Sequence, residues 1–270
     1  MSSHSDQVAV FRSLHVPGRP LLMPNPWDMG SAKLLASLGF QALATTSGGF
    51  AGTLGRLDGS VTRDEALAHA ASIVGAVDIP VSADLENGFA DDPAAVSETV
   101  TNAIAAGLAG CSIEDFTGDG GSPIYDHRPA TERVAAAAEA AHASPGLVLT
   151  ARAENLLHRR RDLADTIARL QAYQEAGADV LFAPGLRKIE DIRQTVASVD
   201  RPVSVLLLPG GPTVAELAAV GVARVSVGGA FSFVALGAVA RVARELLESG
   251  TYDMELAGEG RQQATAAFGT

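Results

Sequence analysis

The sequence contains one cysteine, Cys111, in 270 residues. A lone thiol can form neither an intrachain disulfide nor a multi-cysteine zinc site, which fits a reducing compartment. Basic residues are scarce as well: 20 Lys and Arg against 31 Asp and Glu leave a formal net charge of -11. Nucleic acid is therefore a poor partner, because binding a phosphate backbone needs a basic stripe and none is visible. No segment approaches the roughly 18 apolar residues that span a bilayer, and MSSHSDQVAVFRSLH at the start has no long apolar stretch. The expectation is a cytoplasmic protein with no membrane and no nucleic-acid partner. No GxGxxG follows the first apolar run, and GDGGSP at 118–123 is too irregular for a phosphate loop.

What is present is a globular composition, 47% hydrophobic and only 19% charged, with 28 glycines to make tight connections. Short β-branched apolar runs alternate with longer Ala-rich amphipathic segments, the pattern of repeated βα units on a parallel sheet. The runs LLMPN (21–25), QALATTS (41–47), IPVSADLE (79–86), AGCSIED (109–115), LVLTARAE (147–154), ADVLFAP (178–184), PVSVLLLP (202–209) and ARVSVGG (223–229) predict eight strands. Helices are expected at about 29–39, 62–76, 93–107, 130–143, 162–176, 188–198, 213–220 and 231–249, several closed by Gly before the next strand. About 250 residues in eight such units have the dimensions of an α/β (β/α)8 TIM-type barrel, with an open doubly wound sheet as the alternative. One domain over 1–270 is expected, with 250–270 as a tail that is mobile or lies on a neighbouring subunit.

In such a barrel the chemistry lies at the C-terminal ends of the strands. Side chains two apart share a strand face, so Ser82, Asp84 and Glu86 point one way, as do Ser112 and Glu114, and Thr150, Arg152 and Glu154. The apolar alternates, Cys111 among them, fit against the helices, which turns the polar sets toward the mouth. Asp84, Glu86 and Glu114 then converge, and carboxylates so close drive one another to protonate unless a cation joins them. A hard divalent ion such as Mg²⁺, which keeps several waters and takes one or two carboxylates, suits this set, whereas Zn²⁺ lacks His or Cys on the same face. The bland alternative has Asp84 and Glu86 pair with Arg152 or cap the helix starting near Asp92–Pro93. Asp91 and Asp92 read as capping residues of the helix beginning at Pro93. Arg152 is either a structural counter-ion or a bidentate anchor for a substrate carboxylate or phosphonate. After Ser47, Gly48 and Gly49 let backbone approach a ligand, while Asp58 either reaches the metal's waters or shapes its turn.

NPWD (25–28), TTSGG (45–49), the following loop with Asp58, ADLENG (83–88), SIED (112–115) and TARAE (150–154), in this order, resemble the isocitrate lyase/phosphoenolpyruvate mutase superfamily over about residues 20–245. The resemblance implies Mg²⁺-dependent chemistry (Mn²⁺ as a substitute) on small anionic 2-oxo or 2-hydroxy acids through enolate-like species. It also implies a homotetramer or dimer that exchanges its last helix. By position, Asp84 matches the metal-ligand acid, and Glu86 and Glu114 match acids holding the metal directly or through water. Arg152 matches the substrate arginine, Ser47, Gly48 and Gly49 the backbone cradle, Trp27 the substrate wall, and Asp58 a loop acid near the metal.

The departures bear on the substrate. The isocitrate and methylisocitrate lyases of this superfamily carry a K-x-C-G-H type motif after the fourth strand, whereas FTGDGGSPIYDHRPA (116–130) has no cysteine, nor the lysine of the mutases and phosphonopyruvate hydrolases. Tyr125 and His127 are the loop groups able to move a proton, or else ordinary surface residues. Ser204 stands in the seventh strand where many relatives have Asn. The leading expectation is a carbon–carbon lyase or decarboxylase of the oxaloacetate decarboxylase-like kind. Carbon–phosphorus chemistry of the phosphonomutase, carboxyvinyl-carboxyphosphonate phosphorylmutase or phosphonopyruvate hydrolase type is the second reading, and a non-catalytic metabolite-binding homologue the third.

Overall fold

In the computed structural model residues 3–269 are described; residues 1, 2 and 270, at the ends of the expected domain 1–270 and tail 250–270, lie outside them. The strands are β1 (Leu21–Met23), β2 (Leu43–Ala44), β3 (Val81–Asp84), β4 (Gly110–Glu114), β5 (Val148–Arg152), β6 (Val180–Phe182), β7 (Val203–Leu206) and β8 (Arg224–Ser226). All neighbours pair in parallel in the order β1-β8-β7-β6-β5-β4-β3-β2. The remaining seam, between β1 and β2, is drawn together just past the strands. There the Ala44 N–H donates to the Pro24 carbonyl at 3.1 Å. Asn25 donates to the Thr45 carbonyl at 3.1 Å and accepts from the Val227 N–H at 3.0 Å. The result is a nearly closed eight-stranded barrel, with the strand assignment of the sequence at every position and shorter ends.

The helices are α1 (His4–Ser13), α2 (Met29–Ser37), α3 (Ser47–Thr53), α4 (Arg63–Val74), α5 (Pro93–Ala105), α6 (His127–Ala141), α7 (Leu163–Glu175), α8 (Ile189–Ala197), α9 (Val214–Ala219), α10 (Ala230–Ser249) and α11 (Met254–Phe268). Local chemistry fixes their starts. Thr62 with Glu65 and Thr213 with Glu216 form reciprocal capping boxes, and Asp92 accepts from Ala94 and Ala95 ahead of Pro93. The helices cover the outer faces of the strands, where Ala83, Leu85, Cys111, Ile113, Leu149 and Ala151 sit in one buried apolar cluster. Cys111 is fully buried there, and desolvation pushes its thiol up to about 12, so it behaves as a small apolar side chain.

Three helices were not expected from the sequence. α1 closes the entering end of the barrel: Phe11 is fully buried beside Leu21, Met23, Ala42, Val148 and Val180. Gly110 makes room for it, because a Cβ there would lie 2.5 Å from the Phe11 ring and 2.9 Å from the Val148 carbonyl. α3 forms despite its three glycines because Thr46 caps it, accepting from the Gly49 N–H at 3.3 Å. Gly49 is required by close packing, since a Cβ would meet Thr46 at 2.5 Å and Trp27 at 3.2 Å. The segment expected as a tail is instead helical over most of its length. Asp253 caps α11, which packs on α2 of the same chain with the Phe268 ring beside Gly30.

Candidate active site

The C-terminal ends of the strands surround a cavity of about 220 Å³ lined by Thr45, Ser47, Asp58, Asp84, Ser112, Arg152, Phe182, Leu206, Arg224 and Ser226, among others. That is below the roughly 300–1,000 Å³ of sites for drug-sized ligands and suits a small acid. Arg152, the last residue of β5, dominates its electrostatics. Its Nη1 lies 2.9 Å from Asp84 Oδ1, its Nη2 3.1 Å from Glu114 Oε2 and its Nε 2.8 Å from Glu154 Oε1. Strand register explains the meeting: Glu114 lies opposite Arg152 across the β4–β5 ladder, and Asp84 opposite Ser112 across β3–β4. The guanidinium also sits 5.3 Å from the Phe182 ring centre.

One cation cannot neutralise three carboxylates. Burial works against the charge on Arg152, yet Glu154, Glu114 and Asp84 outweigh it and hold the guanidinium well above its ordinary range. The excess negative charge falls on the acids. Glu114 is raised well above the usual carboxylate range, first by desolvation and then by Glu154, Asp84 and Glu86, with Arg152 opposing. Glu154 is also raised, chiefly by burial. Asp84 is held from its other side by Ser47, whose N–H and hydroxyl donate to Oδ2 at 3.3 and 3.1 Å.

The metal set expected from strand alternation, Asp84, Glu86 and Glu114, is not assembled as three ligands. Among the described residues no three His, Cys, Asp or Glu side chains come together closely enough to hold an ion. β3 stops at Asp84, and the chain then turns, with Glu86 at φ 47 and the Gly88 N–H bonded to the Leu85 carbonyl at 2.8 Å. Alternation therefore does not extend to Glu86. Its side chain lies in a small adjoining pocket with Thr45, Phe50, Val61, His69 and Asp84, and burial, Asp84 and Asp58 raise it to about 7. Glu114 is taken up by Arg152. The acids on the cavity wall are Asp84, shared with Arg152 and Ser47, and Asp58, with Glu86 behind them. This donor set, all hard oxygens with surplus negative charge, fits a largely hydrated divalent cation held by one or two carboxylates and does not fit a closed protein cage.

The other expected site residues divide. Ser47 and Asp58 line the cavity, and the Asp58 carboxyl lies over Gly48, where a Cβ would be 3.2 Å from it. Trp27 is not on the cavity wall; it backs α3, and its carbonyl sits 3.0 Å from His69 Nε2. Tyr125 and His127 are directed elsewhere. The Tyr125 hydroxyl donates to Asp91 beneath the Arg133 guanidinium, and His127 Nε2 lies 2.6 Å from Asp165 Oδ1 on the outer surface. Asp91, ahead of α5, and Asp165, in the first turn of α7, take up these two groups. Asp115 supports the site from the helix side: it accepts from the Glu154 N–H at 2.7 Å, Arg169 at 3.0 Å and Tyr173 at 2.6 Å. Ser204 is fully buried and accepts from Arg224 Nε at 2.9 Å.

Sequence reasoning missed Arg224 and its neighbour His15. The available signal was an arginine inside an otherwise apolar run, ARVSVGG. His15 at the barrel floor is 7% exposed, bonded through Nδ1 to the Phe11 carbonyl at 2.8 Å, and lies 3.5 Å from Arg224 Nη1 through Nε2. Desolvation first, then the Arg224 charge, push it down to about 3.

The chain matches the family model described as phosphoenolpyruvate phosphomutase over residues 11–247. It is 33% identical over 224 residues to 2-methylisocitrate lyase of Escherichia coli K12, covering 79% of this chain and 73% of that enzyme. A solved protein of Burkholderia cenocepacia J2315 described as a lyase/mutase is 51% identical with a TM-score of 0.89, covering 92% of this chain and 90% of that one. Oxaloacetate acetylhydrolase, solved with its product oxalate, is 25% identical with a TM-score of 0.84, covering 92% and 89%. The barrel, its acid–arginine mouth and these matches define one class of protein. The chain belongs to the phosphoenolpyruvate phosphomutase family, within the isocitrate lyase/phosphoenolpyruvate mutase superfamily, whose relatives include lyases and mutases.

The depressed His15 gives a pH signature. The unfolded chain binds a proton at this residue below about 6.5 and the folded chain only near 3, so stability from this residue is present above the unfolded value and is lost as pH falls. Between pH 7 and 5 the wild type is expected to lose about 2 kcal/mol more than His15→Asn. Urea denaturation of both proteins across that range checks this, and parallel pH profiles would contradict it.

Proposed function

We propose that this chain is a Mg²⁺-dependent lyase that breaks a carbon–carbon bond, or releases CO2, from a small 2-oxo acid through a pyruvate-like enolate. The observation that carries this reading is the guanidinium of Arg152 held among Asp84, Glu114 and Glu154 at the wall of a small cavity. Asp84 would hold the cation, with Glu86, Glu114 and Asp58 acting directly or through water. When bound, the cation would supply Lewis-acid stabilisation of the negative charge developing on the 2-oxo oxygen. The remaining work falls to the protein. Arg152 stays protonated, fixes the orientation of Asp84 and Glu114, and keeps N–H groups beyond its three ion pairs for a substrate oxygen. Ser47 clamps Asp84, and the bare Gly48 keeps the approach beside Asp58 open. Leu206, Phe182 and Leu157 give the wall an apolar side that limits water around a developing enolate.

Relatives named for cleaving methylisocitrate and for oxaloacetate chemistry support a carbon–carbon reaction. The family model's own name keeps carbon–phosphorus chemistry as the second reading. The assembly is proposed to be a homotetramer in which α10, the helix after the eighth strand, is exchanged between subunits. In support, α10 leaves Phe233, Val234, Leu236, Val239 and Leu247 exposed in the single chain, more apolar surface than a solvated helix carries. Among the described residues no helix is long and apolar enough to cross a membrane.

With Mg²⁺ titrated from zero, oxaloacetate and methyl- or hydroxy-substituted relatives are expected to include at least one substrate with metal-dependent turnover, and Asp84→Asn is expected to lower its kcat/KM by at least about 100-fold. Absence of turnover across the panel would sink the lyase reading, and ³¹P NMR of phosphonopyruvate showing a new resonance would favour the second. Light scattering is expected to give about four times the chain mass; a monomer at micromolar concentration would contradict the assembly.

A further inference from the structure

Two arginines line the cavity, and their surroundings differ in kind. Arg152 has more carboxylates than it can neutralise. Arg224, the first residue of β8, has none: Nε donates to Ser204 Oγ at 2.9 Å and Nη1 to Thr150 Oγ1 at 2.9 Å, with His15 Nε2 at 3.5 Å. All three partners are neutral, since His15 is held unprotonated down to about 3 by its burial and by Arg224 itself. Arg224 is 3% exposed, and burial together with the charge of Arg152 pulls it down to about 9, with no acid acting in the other direction. Nη2 makes no hydrogen bond among the described residues. Among the described residues the sealed side-chain nitrogens and oxygens lacking a partner are Arg133 Nε and Asn155 Oδ1, so Nη2 is open, and the opening is the cavity that Arg224 lines.

A buried charge is stable only when something pairs with it, and no acidic side chain does so here. The position of Arg224 tells which part of a ligand can. It is in register with Ser204 and Leu21, at the entering end of the strands, whereas Asp84, Glu114 and Arg152 end theirs. The cavity therefore runs from an acid-rich mouth to a cationic floor. A monocarboxylate occupying the mouth leaves the floor charge unmet. An acid with a carboxylate at each end meets both.

We propose that Arg224 is a specificity-determining residue that receives, at the floor of the cavity, the substrate carboxylate remote from the metal end, and so selects dicarboxylic over monocarboxylic acids. The guanidinium presents the N–H groups of Nη2 to a carboxylate oxygen, those of Nη1 and Nε being directed at Thr150, His15 and Ser204. Ser204 and Thr150 orient the guanidinium without spending its charge, which accounts for a serine in β7 at this level. The inference rests on the organic-acid reading above, but it is tested by binding rather than by turnover.

Calorimetric titration of the full-length protein with malonate, succinate and pyruvate, in chloride-free sulfonate buffer, is compared for wild type, Arg224→Met and Arg224→Lys. Arg224→Met is expected to weaken the better dicarboxylate by about 10–100-fold while changing pyruvate by less than about twofold; Arg224→Lys is expected to retain part of the dicarboxylate affinity. Arg224→Met is also expected to melt no lower than wild type without ligand, because it removes an unpaired buried charge. Equal losses for pyruvate and dicarboxylates, unchanged dicarboxylate affinity in both variants, or chloride competing as strongly as a dicarboxylate would overturn the proposal. If Arg224→Met does not fold, dicarboxylate affinity and selectivity in Arg224→Lys decide by the same criteria. No turnover with any 2-oxo acid would count against the lyase reading alone, and loss of selectivity in these titrations bears on Arg224 alone.

Discussion

The ion pairs that Arg152 makes with Asp84, Glu114 and Glu154 are the constraint on which the mouth of the barrel depends. Each partner comes from a different strand end or its continuation, so the cluster forms only when β3, β4 and β5 are in their native register. Removing the arginine would leave buried carboxylates facing one another, a cost that falls on the whole fold. Surroundings are arranged to sustain the cluster. Ser47 holds the far oxygen of Asp84, and Asp115, itself anchored by Arg169 and Tyr173, fixes the backbone of Glu154. The surplus of negative charge that remains is what the proposed cation would meet.

The interior of the barrel carries a charge gradient along its axis. Thr150, Ser204 and Arg224 form a polar layer with no acid, above an apolar plug made by Phe11 and its neighbours. Above that layer the acids gather. A protein that merely needed a stable barrel would fill these positions with branched apolar side chains, and the proposed carboxylate at Arg224 would give this polarity its purpose. The cavity of about 220 Å³ limits that ligand to a small molecule.

Much of this was legible from strand alternation and turn chemistry. Eight apolar runs fixed eight strands, and a period of two put Asp84, Glu114 and Arg152 on one face because all three lie inside regular strand. Glu154 followed the same parity just past β5, and its bond to Arg152 bears that out. The reasoning failed where regular strand ended. Glu86 lies beyond β3 in a turn with positive φ, so counting by two no longer tells where it points. Tyr125 lies at the end of the long β4–α6 connection and His127 begins α6, and their partners Asp91, Arg133 and Asp165 include residues far apart in sequence. α3 was hidden because its three glycines argue against a helix, and only at Gly49 does a tight fit against Trp27 and Thr46 require one. Arg224 was hidden for the opposite reason: a charged residue at the start of a strand reads as a solvated end, and here α1 covers that end.

The central claim is that the acid-rich mouth and the cavity below it form one site for a metal ion and a small organic acid together. Calorimetric titration of oxalate, a mimic of the enolate of pyruvate, with and without saturating Mg²⁺ tests this most directly. The account predicts that Mg²⁺ tightens oxalate binding by at least about tenfold and that oxalate tightens Mg²⁺ binding by the same factor. Oxalate affinity that is the same in Mg²⁺ and in a chelator would contradict it.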